Sequence, residues 1–360
     1  MTAEILKKTS SGPVRNWFRG VLLDWDRTQM LICFLLVGLL ALAPLFVHST
    51  YYLGILILAT IYAFIGISWN IVAGFTGQLL IAQIIFLAIG SYTTIVLFNY
   101  YLVSPWVGLL IAGLVAGLCG IVVAFITLRY GLKVDYFALF TIALMVALRT
   151  LFLKWEFVGG AVGMWFRLTD PSFDKMIFAT KAPYLYIALG LVVIGLLVQY
   201  RIYRSKMGKY FLAIREDEDA AAALGVNTSL YKMLAVVISA AMAGVGGGFY
   251  VMYVTFIEPP QVFNLGLNVE IVMAGPIIGG LGSLAGPIVG ALLNKPFAEI
   301  MRGALVEGRS GSSLIVYGSF LILTVMFMPR GVTGVLHTIY CWIIKRFTSD
   351  EPGDDQNGAA

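Results

Sequence analysis

The side chains that could do chemistry are concentrated in one stretch of the chain, Arg201–Ser229, which we call the charged segment. Basic residues occupy its first half up to Arg215, and an acidic run from Glu216 to Asp219 follows, before four consecutive alanines. Small side chains let another surface approach a helix backbone closely. Charges of both signs beside such a face therefore predict a docking surface for a cytoplasmic partner.

The local pattern predicts a short helix inside the charged segment. The positive end of a helix dipole favours carboxylates in the first turn, which Glu216, Asp217, Glu218 and Asp219 would provide. Gly225 stands where a left-handed C-terminal cap is needed, and Thr228 or Ser229 can cap the helix that follows. A solvated loop between two helices explains the same composition, so both interpretations stay open.

A second group of polar side chains lies within apolar runs. Gln78 and Gln83 fall in the glycine-punctuated stretch Gly74–Gly90, and Glu270 leads into Ala274–Gly290, which is too rich in Gly and Pro for a plain helix. Ionisable groups at membrane depth often mark pathways, and two interrupted segments are typical of transport proteins built from repeats. For each single residue, a hydrogen bond between helices is the competing explanation.

Patterns for catalysis and cofactor binding are missing from the sequence. It contains no G-x-x-x-x-G-K-[ST] phosphate loop, no H-E-x-x-H pair and no Cys-x-x-Cys pair. Cys33, Cys119 and Cys341 each lie in apolar runs and are predicted to be packing residues. We therefore expect no catalytic residue, no metal ion and no cofactor.

Composition assigns the chain to the membrane. Hydrophobic residues make up 60% and charged residues 12%, whereas soluble domains carry about 25% charged residues. Apolar runs of roughly twenty residues recur, and each is long enough to cross a lipid bilayer. The predicted fold is all-α, a polytopic transmembrane helical bundle with Gly-rich broken or re-entrant segments. The net charge of +5 comes mainly from loops beside these runs, so we expect no nucleic-acid partner.

Charge bias and the count of crossings predict the arrangement of the chain. Residues 1–29 are basic and are expected to be a cytoplasmic N-terminal segment. Residues 30–336 would form the transmembrane domain, and six crossings then place the charged segment in the cytoplasm. Residues 337–360 would be a partly disordered tail. Basic residues after Phe256, among them Lys295, lie on both sides of an apolar run, so the orientation there stays open.

Several blocks in this order resemble the permease family of branched-chain amino acid ABC importers, specifically the M-type subunit of the Liv system. The resemblance runs from about Tyr51 to Leu336. The blocks that carry it are WNIVAGFTGQLLIAQIIFLAIGSYT (Trp69–Thr93), VDYFALFTIA (Val134–Ala143), VGGAVGM (Val158–Met164), MGKYFLAIREDEDAAAALGVN (Met207–Asn227), VEIVMAGPIIGGLGSLAGP (Val269–Pro287) and MPRGV (Met328–Val332).

The resemblance implies that the charged segment is a coupling loop that docks on a separate ATPase subunit. It further implies a homologous partner permease forming a heterodimer, two ATP-binding subunits, a periplasmic solute-binding protein and a location in the inner (plasma) membrane. The coupling residues would be Arg215, Glu216, Asp217, Glu218, Ala220, Ala221 and Gly225. The resemblance, together with the polar residues described above, also gives an expected substrate path. Its residues are Gly77, Gln78, Gln83, Glu270, Gly279, Gly280, Gly282 and Ser283.

Two departures from the family pattern weaken the expectation of a strictly leucine-type solute. Leu80-Ile81-Ala82-Gln83 stands where relatives often carry Ser-Leu-Gly-His, and Val146 stands where a glutamate is common. The alternative function is an ion-coupled secondary carrier or channel for a small organic solute. Such a carrier usually needs a carboxylate relay at mid-membrane, which the sequence does not reveal.

Overall fold

The computed structural model describes residues 13–47, 49–131, 134–167, 170–304, 310–328, 331–336 and 338. Within these ranges, seven helices are long and apolar enough to cross a membrane. The described residues contain two regular strands of two residues each, so the predicted all-α helical bundle is confirmed.

The helices are numbered in chain order. They are α1 (Pro13–Phe46), α2 (Thr50–Trp69, continued by a π-helical turn Asn70–Phe75), α3 (Ile84–Tyr101), α4 (Pro105–Arg129), α5 (Val134–Lys154), α6 (Ala182–Arg204), α7 (Lys206–Glu216), α8 (Glu218–Ala223), α9 (Thr228–Val254), α10 (Pro259–Val262), α11 (Leu265–Asn268, continued by a π-helical turn Val269–Met273), α12 (Ala274–Gly279), α13 (Gly286–Ala304) and α14 (Ser310–Phe327). The strands are β1 (Met164–Trp165) and β2 (Phe256–Ile257).

Helix α9 is the centre of the bundle and packs against α2, α3 and α4. Its glycines allow this close packing, since the Gly247 Cα lies against the backbone of α3 and the Gly247 carbonyl accepts a 2.7 Å hydrogen bond from Ser91 Oγ. By contrast, α5 and the membrane-length part of α1 bury less than a third of their residues. The tightly packed interior therefore lies among α2, α3, α4 and α9.

We expect Gly247→Ala to destabilise the bundle. A Cβ at this position would lie 2.0 Å from the Leu87 carbonyl oxygen, so α9 and α3 would have to separate. Overpacking of this kind costs about 1–3 kcal/mol. Thermal unfolding of detergent-purified protein measures the effect. Gly190→Ala is the matched control, since nothing lies within 4 Å of a Cβ at that helical position, and equal stability of the two variants would contradict the prediction.

The predicted boundary at residue 29 falls inside α1, which is continuous from Pro13 to Phe46. Residues 1–12 and most of the predicted tail, including Cys341, lie outside the described residues. The structure therefore gives the backbone of part of the predicted N-terminal segment and leaves both domain boundaries as predictions.

An ordered connection between α5 and α6 covers one end of the bundle. Its strand β1 pairs with β2, placing Met164 opposite Ile257. The Asn99 amide on α3 donates to the Trp165 carbonyl at 2.9 Å, and Trp106 Nε1 donates to the Phe173 carbonyl at 3.0 Å. These contacts fix the connection to the ends of α3 and α4 at the end of the bundle away from the charged segment.

Candidate functional site

The first interruption of the bundle separates α2 from α3. After the π-helical turn, residues 76–83, which we call the first break, run back along α2 without helical structure until α3 begins at Ile84. Gly77 adopts a φ of +71°, which suits glycine because it has no Cβ. Trp69 Nε1 donates a 2.8 Å hydrogen bond to the Leu80 carbonyl and so holds the returning chain.

The second interruption separates α12 from α13, and we call residues 280–285 the second break. Ser283 Oγ donates to the Gly280 carbonyl at 2.7 Å and accepts from the Gly286 amide at 2.9 Å, which closes the turn. A Cβ at Gly279 would lie 1.7 Å from the Gly286 carbonyl oxygen, so only glycine fits there. Of the two arrangements that the sequence left open, the structure has two helices joined by a tight turn.

Asparagine side chains join each interrupted span to the other. Asn70 accepts from the Gly282 amide at 2.8 Å and donates to the Ser283 carbonyl at 2.8 Å. Asn268 accepts from the Ile84 amide at 2.9 Å and also donates to the Ile81 carbonyl. Non-helical backbone at membrane depth must find partners within the protein, and each asparagine supplies them to the opposite break.

Sequence reasoning missed both asparagines as functional candidates. The signal that was available is a single Asn within an apolar run beside each glycine-rich stretch. Both are completely buried. Their partners lie about two hundred residues away in the chain, so the sequence does not reveal what they bind.

Arg215, at the end of α7, connects the charged segment to both breaks. Its Nη1 donates a 2.7 Å hydrogen bond to the Gly74 carbonyl, at the end of the π-helical turn. A cation is favourable there because the last carbonyls of a helix carry partial negative charge. A Cβ at Gly282 would lie 2.8 Å from the same nitrogen, so the guanidinium also lies against the second break.

The charged segment contains two helices, α7 and α8, where the sequence predicted one. Asp217 caps α8 by accepting a 2.9 Å hydrogen bond from the Ala220 amide, and Gly225 follows its end with the left-handed φ of +86° that the sequence predicted. The predicted caps of the next helix, Thr228 and Ser229, are wrong. Asn227 caps α9 instead, accepting from the Leu230 amide at 3.1 Å.

The predicted coupling residues divide into exposed and inward-facing sets. Ala221 is 3% exposed and faces the rest of the chain, whereas the other predicted coupling residues are exposed: Arg215, Glu216, Asp217, Glu218, Ala220 and Gly225. Glu218 forms an ion pair with Lys232 at the start of α9. All residues of α8 except Ala221 are exposed, so a bulky residue at Ala221 would disturb internal packing before it met a partner.

The two predicted path glutamines both have partners within the chain. Gln78 donates to Thr76 Oγ1 at 3.1 Å and to the Lys232 carbonyl at 3.4 Å. Gln83 is completely buried and donates to Ser239 Oγ at 2.7 Å and to Ser68 Oγ at 3.1 Å. Gln83 therefore bonds to two neighbouring helices, as in the competing explanation, whereas Gln78 bonds within the first break and to α9.

Glu270 belongs to a buried charge cluster that the sequence did not reveal. Lys295 on α13 lies 3.4 Å from Glu270 Oε1 and 3.0 Å from Glu299 Oε2, and its side chain is 4% exposed. The interpretation of Lys295 as a loop charge is therefore wrong. Its ammonium also lies 5.4 Å from the Tyr62 ring centroid, a cation–π distance.

Both breaks lie at the same end of the bundle as the charged segment. Arg215 reaches Gly74 and lies against Gly282, and Thr333 Oγ1 donates to the Gly279 carbonyl at 2.6 Å. Helix α13 consequently leads away from this end and α14 leads back toward it. These contacts give the course of the chain after Phe256, which the charges alone left open.

Two interrupted spans contact the charged segment at one end of the bundle. This arrangement is typical of a multi-pass membrane protein of the transport class. The family model described as "Branched-chain amino acid transport system / permease component" matches residues 51–328. The chain belongs to this family, as the sequence blocks indicated. Its members are transport components, in agreement with the prediction that the chain is a transport subunit and not an enzyme.

Individual relatives agree with this membership. The chain is 32% identical over 323 residues to the high-affinity branched-chain amino acid transport system permease protein LivM of Escherichia coli K12, covering 82% of this chain and 74% of that protein. It is 30% identical over 172 residues to LivH of Salmonella typhimurium, covering 48% and 53%. These relatives support the permease interpretation and not the carrier alternative. No solved structure matches the chain.

Proposed function

We propose that this chain is the permease subunit of an ABC importer for branched-chain or related amino acids, driven by a separate ATPase. The contact that supports the proposal most directly is the hydrogen bond from Arg215 to the Gly74 carbonyl. It connects the surface on which an ATPase would dock to the backbone of the first break. Movement of α7 and α8 would therefore displace the ends of both interrupted spans.

The assembly would contain this chain, a homologous second permease, two ATP-binding subunits and a periplasmic solute-binding protein. The names of the two relatives, LivM and LivH, describe permease proteins of one transport system, which supports a heterodimer. The charged segment would face the cytoplasm of the inner membrane. Six described helices precede it, so the N-terminus would also be cytoplasmic.

The solute would pass between this chain and the partner permease, beside the two breaks. The path would be lined by the predicted residues in and beside the breaks, namely Gly77, Gln78, Gln83, Gly279, Gly280, Gly282 and Ser283. The Asn70 side chain joins the first interrupted span to the second break through its bond to the Ser283 carbonyl. Separation of the ATP-binding subunits after hydrolysis would draw this end of the two permeases apart and open a route to the cytoplasm.

Ala222→Trp tests the proposed docking surface. The side chain of Ala222 is exposed on α8, so a large ring there would block a partner without entering the interior of the chain. We expect copurification of the ATP-binding subunit to be lost and ATP-driven uptake to fall to background. Ala161→Trp is the matched control for assembly, because Ala161 is also exposed but lies in the connection at the opposite end, so the ATP-binding subunit should still copurify. Normal assembly and uptake with Ala222→Trp would overturn docking at α8.

A further inference from the structure

A cavity of about 540 Å³ lies beside Glu270, between the second interrupted span and helices α13 and α14. Ligand pockets in proteins commonly have volumes of about 300–1,000 Å³. The lining residues are Gln261, Asn264, Gly266, Leu267, Val269, Glu270, Ala298, Tyr317, Gly318 and Leu321. The cavity is large enough for a small organic solute.

The lining separates into polar and apolar parts. Glu270 provides a carboxylate, and Gln261 and Asn264 provide side-chain amides near the N-terminus of α11. Leu267, Ala298 and Leu321 supply an apolar wall. A few placed polar groups in an otherwise apolar concavity are typical of sites that orient a small molecule.

The carboxylate is held firmly at the cavity wall. Lys295 lies 3.4 Å from Glu270 Oε1, and the Asn294 amide donates to the Glu270 carbonyl at 3.1 Å. Glu270 also lies within a π-helical turn, a backbone form that occurs frequently at functional sites. Carboxylates accept several hydrogen bonds at once, so an ion pair with Lys295 is compatible with a further cation from the cavity.

We infer that this cavity is a solute site for a small zwitterion with a primary ammonium group and an apolar side chain. The ammonium binds the Glu270 carboxylate, and the apolar side chain packs against Leu267, Ala298 and Leu321. The solute carboxylate accepts hydrogen bonds from the amides of Gln261 and Asn264. The inference rests on the proposed function and adds where the solute stops and which of its groups are recognised.

The test measures the protection of a cysteine in the cavity wall. Leu321→Cys is introduced into a chain whose three native cysteines are replaced by alanine, and the complete complex is labelled with a maleimide without nucleotide or solute-binding protein. We expect L-leucine to slow the labelling. The matching 2-oxo acid, which lacks the ammonium, should leave the rate unchanged. Cysteine at Leu139, exposed on α5, should be labelled at one rate in all cases.

Two carboxylate variants identify the ammonium partner. Glu270→Gln should weaken protection by L-leucine about tenfold or more, the scale of a charge-assisted contact. Lys295 would still have Glu299 at 3.0 Å, so its charge remains paired. Glu299→Gln is the matched control, because Glu299 does not line the cavity, and it should preserve protection.

Separate results distinguish this inference from the proposed function. If the complex assembles and takes up leucine with ATP but L-leucine never protects Leu321→Cys, or protects it equally in Glu270→Gln, the cavity is not the solute site. If no ATP-binding subunit assembles with the chain, the proposed function itself is wrong. Protection by the 2-oxo acid as strong as by L-leucine would overturn recognition of the ammonium.

Discussion

Arg215→Ala should uncouple ATP hydrolysis from solute uptake while leaving the complex assembled. The side chain joins the end of α7 to the Gly74 carbonyl, and its guanidinium also lies against Gly282. A hydrogen bond from a charged donor contributes about 1.5–3 kcal/mol. Losing this hydrogen bond corresponds to roughly a 10- to 150-fold change in the equilibrium between the conformation that contains it and one that does not. Uptake per ATP hydrolysed, measured in proteoliposomes, should fall accordingly.

Lys209→Ala is the control for this experiment. Lys209 is a basic residue on the same helix and is exposed, so its removal changes the charge of the surface without altering the contact with the breaks. Arg215→Lys should keep part of the coupling, because one ammonium cannot reproduce the planar guanidinium donors. If uptake per ATP hydrolysed is unchanged in Arg215→Ala, movement of the charged segment must reach the breaks through other contacts.

Lys295→Met should be the most destabilising single change in the described bundle. The Lys295 ammonium lies between Glu270 and Glu299 and is almost completely buried. Removing one partner of a buried ion pair typically costs about 3–5 kcal/mol, because the remaining charge stays desolvated. The free energy of unfolding, followed by thermal unfolding of the purified protein in detergent, should fall by that amount.

A neutral triple variant separates charge from packing at this position. Combining Lys295→Met with Glu270→Gln and Glu299→Gln removes the charges together, and replacing a whole buried cluster is often neutral or stabilising. Most of the lost stability should therefore return. Lys154→Met, at an exposed helix end, should have little effect. If the triple variant is as unstable as Lys295→Met alone, lost packing and not unpaired charge explains the defect.

The lengths of the apolar runs predict the spans well, because crossing a bilayer requires a minimum number of apolar residues. The glycines likewise predict both breaks, since they mark places where the chain leaves helical structure or backbones approach closely. The sequence cannot show that the two breaks meet. That junction depends on Asn70 and Asn268, which bind backbone groups of the opposite break.

The other incorrect predictions also concern residues whose contacts are distant in the sequence. Lys295 follows an apolar run and precedes Pro296, which is typical of a span end, yet α13 continues to Ala304 with this proline inside it. The partner that stabilises the buried ammonium, Glu270, is on another helix. The four alanines of α8 look equivalent in the sequence, and tertiary packing alone turns Ala221 inward. Residues whose role depends on a distant partner are those that local patterns misplace.

Copurification and transport together test whether this chain works as the permease of an ATP-driven importer. The direct measurement is purification of the full chain in mild detergent from its native membrane, identification of the copurified proteins and assay of uptake after reconstitution. We expect a second permease, an ATP-binding subunit with a phosphate loop, and uptake of a branched-chain or related amino acid that stops when the lysine of that loop is replaced. A chain that purifies alone or as a homo-oligomer in several detergents, and moves solute without ATP, would contradict it.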